Sequence, residues 1–153
     1  DMLYHTDDFT KVNYTDYLNE LFKSTVASFF YDQNFVQFKI YVAQKYLNLD
    51  TAIPLGLLIN EILTNSFKYG VKNESKDLVY IRIEALDYPN FILKIGDNGT
   101  GIPAKHNYKT SNSLGIKLIY KLTAQLQGTV SFDTTRGKGT HYKIHFQEIT
   151  NVF

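Results

Sequence analysis

Pro54-Leu55-Gly56-Leu57-Leu58-Ile59-Asn60-Glu61-Ile62-Leu63-Thr64-Asn65-Ser66-Phe67-Lys68-Tyr69 is an apolar helix pattern with one polar edge. Apolar residues recur at helical spacing across 52–69. Asp50 or Thr51 can cap the start, Pro54 falls in the first turn, and Gly70 stands just past the end. Glu61, Asn65 and Lys68 follow at spacings of four and three, so one helical face carries an acid, an amide and a base. A solvated stripe with an i,i+4 polar pair accounts for such a face. A functional edge accounts for it too: a carboxylate and a carboxamide oxygen suit Mg²⁺ and a polarised water, and a lysine one turn on can meet phosphate.

Outward from this helix the periodicities alternate. Residues 13–31 place Tyr14, Tyr17, Leu18, Leu21, Phe22 and Val26 at helical spacing, with Asn13 or Thr15 as cap. Residues 35–42 alternate as a half-buried strand. Residues 78–86 and 91–95 read as a hairpin around Asp87-Tyr88-Pro89-Asn90. Residues 96–112 hold three glycines and a proline and read as one long loop, of the length that in a compact domain is usually a lid or disordered. A helix over 114–126, closed by Gly128, and strands at 129–133 and 141–146 around Arg136-Gly137-Lys138-Gly139 complete the chain. The order αβαββαββ predicts an α/β two-layer sandwich, a mixed sheet with helices on one face, rather than a doubly wound parallel sheet.

Composition narrows the function classes. The 153 residues suit one core. Their 16 Lys+Arg and 15 Asp+Glu leave a formal charge of +1, which singles out neither nucleic acid nor an anionic membrane. Cysteine is absent, which removes disulfides, thiolate chemistry and Cys-ligated zinc, and the default location is cytoplasmic. The longest apolar run, 52–59, is far short of the ~20 residues of a membrane span. Tyrosine and phenylalanine, 12 and 11 in number, are spread along the chain and are assigned to the core. His141 and His145 share a strand face roughly 13 Å apart, too far to share a metal. No histidine is assigned a catalytic role.

Three further constellations stand out. Asp97-Asn98-Gly99-Thr100-Gly101-Ile102-Pro103 follows a strand directly. Its glycines permit close backbone approach to a ligand and its acid can accept from an amine, although an ordinary turn has the same composition. It lacks the residues of a P-loop and the helix of a dinucleotide fingerprint. Ser113-Leu114-Gly115-Ile116 opens a helix whose free N–H groups suit phosphate, or are simply capped. Gly137-Lys138-Gly139-Thr140 alone is a hairpin turn.

In this order the blocks 60–69, 97–103, 113–116 and 137–140 resemble the N, G1 and G2 boxes and the terminal Gly-x-Gly-Thr of the histidine-kinase branch of the GHKL ATPase superfamily. The first block looks especially like the subfamily with the second type of dimerisation segment. The resemblance spans about residues 14–147. It implies the Bergerat ATP-binding fold, with ATP and Mg²⁺ as ligands. Asp97 would meet the adenine amino group, Gly99 and Gly101 would shape the pocket and hinge a lid, and Asn65 would hold Mg²⁺. Lys68 would meet phosphate oxygens and Tyr69 would line the nucleotide. The amides of Leu114, Gly115 and Ile116 would hold the β/γ-phosphates, and Thr140 would support the adenine end. Glu61 matches the position that activates water in the family's ATPases, and many histidine kinases carry an amide there.

By the same resemblance residues 1–30 are the end of a dimerisation segment and linker helix, and residues 31–153 the ATP-binding catalytic domain. No phosphoacceptor histidine with its basic and amide neighbours occurs in the chain. The acceptor is therefore expected on a helix upstream of Asp1, with a response regulator as next acceptor, a homodimer as the full-length state and no nucleic-acid partner. This chain alone is expected to bind nucleotide without phosphorylating itself. Two alternatives are a serine kinase of the anti-sigma type, against which the Leu3-Tyr4 and Tyr17-Leu18 segments and the terminal Gly-Lys-Gly-Thr argue, and a degenerate nucleotide-binding scaffold, against which Asn65, Lys68, Asp97 and Gly101 argue.

Overall fold

A computed structural model describes residues 10–29, 36–70, 77–99, 114–133 and 139–150. The elements run β1 (Lys11–Asn13), α1 (Tyr14–Ser28), β2 (Val36–Val42), β3 (Tyr46–Asn48), α2 (Leu49–Asn65), a π-helical turn (Ser66–Gly70), β4 (Asp77–Ala85), β5 (Asn90–Asp97), α3 (Leu114–Gln125), β6 (Thr129–Asp133) and β7 (Thr140–Gln147). Five strands form one mixed sheet in the order β2-β4-β5-β7-β6; β2 and β4 are parallel and the other neighbours antiparallel. The expected two-layer α/β sandwich is the observed one.

Strand alternation decides which face the helices cover. In register, Ile40, Ile81, Ile95 and Tyr142 form one row across the sheet, and Val42, Ile83, Leu93 and Ile144 the next. These rows meet Leu55, Leu58, Ile59, Ile62 and Leu63 of α2, Leu18, Phe22 and Val26 of α1, and Ile119 and Leu122 of α3 in a single cluster. The residues between them, such as Arg82, Lys94 and Lys143, stand on the opposite, open face. Each fully buried aliphatic side chain stabilises this arrangement by ~1.5–3 kcal/mol.

The α2 boundaries differ from the spacing-based expectation at both ends. Asn48 is the cap, its side chain accepting from the Thr51 N–H at 2.9 Å, and Pro54 thus lies beyond the first turn. Asn48 was obscured because it also belongs to β3, which pairs with β1 in a two-stranded ribbon. Three-residue strands carry no readable period, so neither was foreseen. Glu148 locks this end. Its carboxylate accepts from the Asn48 N–H at 2.8 Å, the Tyr88 hydroxyl at 2.8 Å and Gln44 Nε2 at 3.1 Å. At the other end the α-helix stops at Asn65 and continues as the π-helical turn. Phe67 in that turn is buried against Phe22 and Phe29, with ring centroids 6.0 and 5.7 Å apart, so α1 supports the functional end of α2.

At the end of α3 the backbone reversal falls on Gln127, with φ of 54°, and not on Gly128. The N–H groups of Gln127 and Gly128 bond the carbonyls of Ala124 and Thr123, closing the helix as a Schellman turn. Gly128 is needed for a different reason: a Cβ there would stand 1.7 Å from the His145 carbonyl oxygen. Gly128→Ala is therefore expected to cost about 1–3 kcal/mol in urea unfolding, the scale of an overpacked core. An unchanged midpoint would mean β7 does not pass this close.

Candidate nucleotide site

Three chain segments converge at the C-terminal end of α2. Asp97 ends β5 and is completely buried. Its neighbour across the sheet is Thr140, the first residue of β7 and also buried. A Cβ on Gly139, whose φ is +80°, would lie 1.9 Å from the Asp97 carbonyl oxygen, so glycine is what lets β7 begin there.

The Asp97 carboxylate is held from one side. Its Oδ1 accepts from the Gly99 N–H at 2.9 Å. Burial pushes its pKa above the ordinary carboxylate value, while hydrogen bonds from the Ser66 hydroxyl and the Gly99 and Thr140 N–H groups, together with the His141 charge, pull it back. Among the described residues Oδ2 is buried with no hydrogen-bond partner. A buried acceptor without a donor costs about 1–3 kcal/mol.

Ser66 is a site residue the sequence reading passed over. It lies inside the quoted stretch, next to Asn65, but a lone serine in a helical pattern carries no signal. The π-helical turn brings it to the acid. That turn also breaks the single face expected of Glu61, Asn65 and Lys68. Glu61 and Asn65 are half-buried on α2, whereas Lys68 is exposed on the wider turn. Insertions of this kind recur where a helix must re-aim functional side chains.

The phosphate end is built from α2 and α3. Gly115 faces Glu61 so closely that an added Cβ would be 3.1 Å from Glu61 Oε2. The first-turn amides of Leu114 and Gly115 lack partners within the helix by geometry; the Leu114 side chain is 82% exposed while Ile116 packs into the core. Among the described residues no three acidic, histidine or cysteine side chains cluster as a metal site. Gly101, the Tyr69 side chain and the segment 134–138 lie outside the described residues.

His141 and His145 have structural partners. His141 Nδ1 is 2.7 Å from the Tyr80 hydroxyl and His145 Nε2 is 2.8 Å from Asn90 Oδ1. Tyr80 titrates above its ordinary value through burial and the nearby Asp97 charge.

A deep acid at a strand end, a close glycine crossing and a helix N-terminus facing α2 define a nucleotide-binding α/β sandwich. Residues 50–150 match the family described as histidine kinase-, DNA gyrase B- and HSP90-like ATPase, and the chain belongs to that family. Within that family its sequence is similar to sensor histidine kinases. The sensor histidine kinase YxdK of Bacillus subtilis is 25% identical over 84% of this chain and 44% of its own length. The blue-light-activated histidine kinase 2 of Erythrobacter litoralis is 26% identical over 60% of the chain and 26% of its own. The chain thus spans less than half the length of these relatives. The solved histidine kinase domain of an Erythrobacter litoralis blue-light-activated histidine kinase superposes with a TM-score of 0.76 at 19% identity, covering 90% of this chain and 62% of that one.

Proposed function

We propose that this domain holds ATP with Mg²⁺ and presents the γ-phosphoryl to a histidine on a dimerisation helix outside residues 31–153, from which it passes to an aspartate on a response regulator. The observation that carries the reading is the unpartnered, buried Asp97 Oδ2, which fits the exocyclic amine of adenine. Guanine presents a carbonyl at that position and would set an acceptor against an acceptor. Thr140 and Ser66 hold the acid from behind. The α3 amides and Lys68 neutralise phosphate charge. Bound beside Asn65, Mg²⁺ would screen the phosphate oxygens against the incoming imidazole. The domain's own contribution is positioning and charge neutralisation, since phosphoryl transfer asks for little else. Glu61 is half-buried beside Gly115 and supports the phosphate end. The segment up to residue 30 is proposed to join the domain to the dimerisation helices, and its packing through Phe22 and Phe29 onto Phe67 supports a mechanical link to the site.

Calorimetric titration with a non-hydrolysable ATP analogue, with and without Mg²⁺ and against GTP, tests this. Adenine-selective, Mg²⁺-dependent binding is expected; absence of binding, or equal affinity for GTP, overturns it. Asn65→Ala is expected to weaken binding about tenfold in Mg²⁺ and little in chelator, the loss of roughly one ligand contact. If the wild type binds equally with and without Mg²⁺, Asn65 has no such role.

A further inference from the structure

The open face of the sheet carries a bonded pair of side chains directly behind the acid. Lys39, Tyr80, Gly96, His141 and Asp133 occupy one row across all five strands. Asp97, one residue on, pairs with Val79 and Thr140 in the next row and by strand alternation shares the opposite face with Ile95. The Tyr80 hydroxyl reaches His141 Nδ1 at 2.7 Å, and the ring centroids are 5.7 Å apart. Their strands are not neighbours. β5 runs between β4 and β7, so two strand spacings, roughly 10 Å, separate the two backbones. The hydrogen bond therefore crosses over β5, at Gly96.

Only glycine leaves room for that crossing. A Cβ on residue 96 would stand 2.9 Å from both the Tyr80 hydroxyl oxygen and His141 Nδ1, and 2.4 Å from the Thr140 carbonyl oxygen. The strap is anchored beside each cross-strand neighbour of Asp97. Tyr80 follows Val79, and His141 follows Thr140, whose N–H helps hold the carboxylate. Burial and then the Asp97 charge hold Tyr80 above its ordinary value, so it stays a hydroxyl. With a neutral imidazole that hydroxyl donates to Nδ1. With a charged one, Nδ1–H donates to the hydroxyl oxygen, and the link survives either state.

We propose that Tyr80 and His141 are positioning residues for the nucleotide: their hydrogen bond over Gly96 fixes β7 against β5 where Asp97 and Thr140 meet adenine, and the charged imidazole gives the acid a positive neighbour. The role rests on the nucleotide reading, whereas the geometry of the strap does not. Both side chains stand on the face opposite Asp97 and act through it. Burial raises the Asp97 pKa, and the His141 charge is among the influences that pull it back. The other charged groups around the pair are Lys39 on β2, Lys94 on β5, Lys143 on β7 and, by register, Asp133 on β6. Arg82 on β4 is engaged by Glu84 and the Tyr41 ring.

The test follows the Asp97 carboxyl carbon by NMR through a pH titration of the labelled chain, and measures the affinity of a non-hydrolysable ATP analogue with Mg²⁺ by calorimetry. The proteins are the wild type, Tyr80→Phe, His141→Ala and His141→Asn. Asparagine keeps an acceptor near the place of Nδ1 and carries no charge. Tyr80→Phe and His141→Ala are expected to weaken the analogue about three- to tenfold near neutral pH, the worth of one hydrogen bond. His141→Asn is expected to recover most of that loss. An imidazole gains charge as pH falls, so His141→Asn should nevertheless lose affinity sooner than the wild type on acidification. The Asp97 midpoint should move up in both His141 variants. Amide spectra report folding, and if His141→Ala unfolds, Tyr80→Phe against His141→Asn still decides. Native affinity in a folded Tyr80→Phe protein overturns the strap, and an Asp97 midpoint unmoved by either His141 variant overturns its electrostatic half. Absence of wild-type binding sinks the nucleotide reading and the strap's role with it; wild-type binding with unaffected variants sinks the strap alone.

Discussion

Asp97→Asn is expected to weaken ATP binding by at least about 1.5 kcal/mol, more than tenfold, while leaving the fold as stable as the wild type or more so. The asparagine keeps an oxygen for the Gly99 N–H now bonded to Oδ1. That choice places the NH₂ where Oδ2 stood, facing the adenine amine donor to donor. Turning the amide over rescues the adenine contact only by setting NH₂ against the Gly99 N–H. Either way one good hydrogen bond becomes a repulsion. The free protein loses little, because the carboxylate it gives up is completely buried and titrates above its ordinary value, first of all through desolvation. Titration calorimetry and urea unfolding of the same variant check both halves. Native affinity in a folded Asp97→Asn protein would remove the acid from the pocket.

The same group predicts a pH dependence with a definite sign. A carboxyl whose folded pKa is raised binds its proton more tightly in the native state. Its contribution to stability is therefore full below the ordinary value of 3.8 and is lost as pH rises through the higher folded value. Asp97→Asn should lack this loss, so the two urea midpoints should draw apart in favour of the variant as pH rises from 3.8 through the raised folded value. Nucleotide affinity runs the other way. The adenine amine binds the ionised acid, so wild-type affinity should rise with pH over the same window. A wild-type midpoint that rises with pH relative to the variant would show that the retained hydrogen bonds outweigh burial at this carboxyl.

The candidate site was legible in part, and the reason is physical. Asp97, Gly99, Gly115 and Thr140 were assigned by resemblance, from the order of four short blocks. The fold sets Asp97 beside Thr140 at the ends of β5 and β7, and Gly115 against Glu61. The long helices and the central hairpin were plain, since their core-facing residues keep one period over many positions. What escaped notice depends on partners distant in sequence. The ribbon that joins Lys11–Asn13 to Tyr46–Asn48 has no period of its own. Glu148 reads as one more charged residue until Asn48, Tyr88 and Gln44 surround it. The change from α to π winding after Asn65 leaves no mark in a hydrophobic pattern, yet it decides that Ser66 reaches the acid and that Lys68 faces outward.

Gly139→Ala is expected to damage fold and site together, which sets it apart from Asp97→Asn. The residue sits at φ +80°, where a Cβ costs about 1–2 kcal/mol. The added methyl would also lie 1.9 Å from the Asp97 carbonyl oxygen, 2.8 Å from its carbonyl carbon and 3.0 Å from Asn98 Cα. All three are backbone atoms and cannot swing aside, so β7 must move off β5 at an overpacking cost of about 1–3 kcal/mol more. The displacement falls on the Asp97–Thr140 pair, where the Thr140 N–H helps hold the acid. Urea unfolding should record a loss of about 2–5 kcal/mol in all. ATP affinity of the protein that remains folded should fall about a hundredfold, because the acid is misplaced as well as unsupported. The pairing of the two variants separates cause from consequence. If Gly139→Ala loses stability but binds ATP normally, the glycine serves the hairpin alone; if it loses binding at unchanged stability, the crossing is looser than 1.9 Å implies.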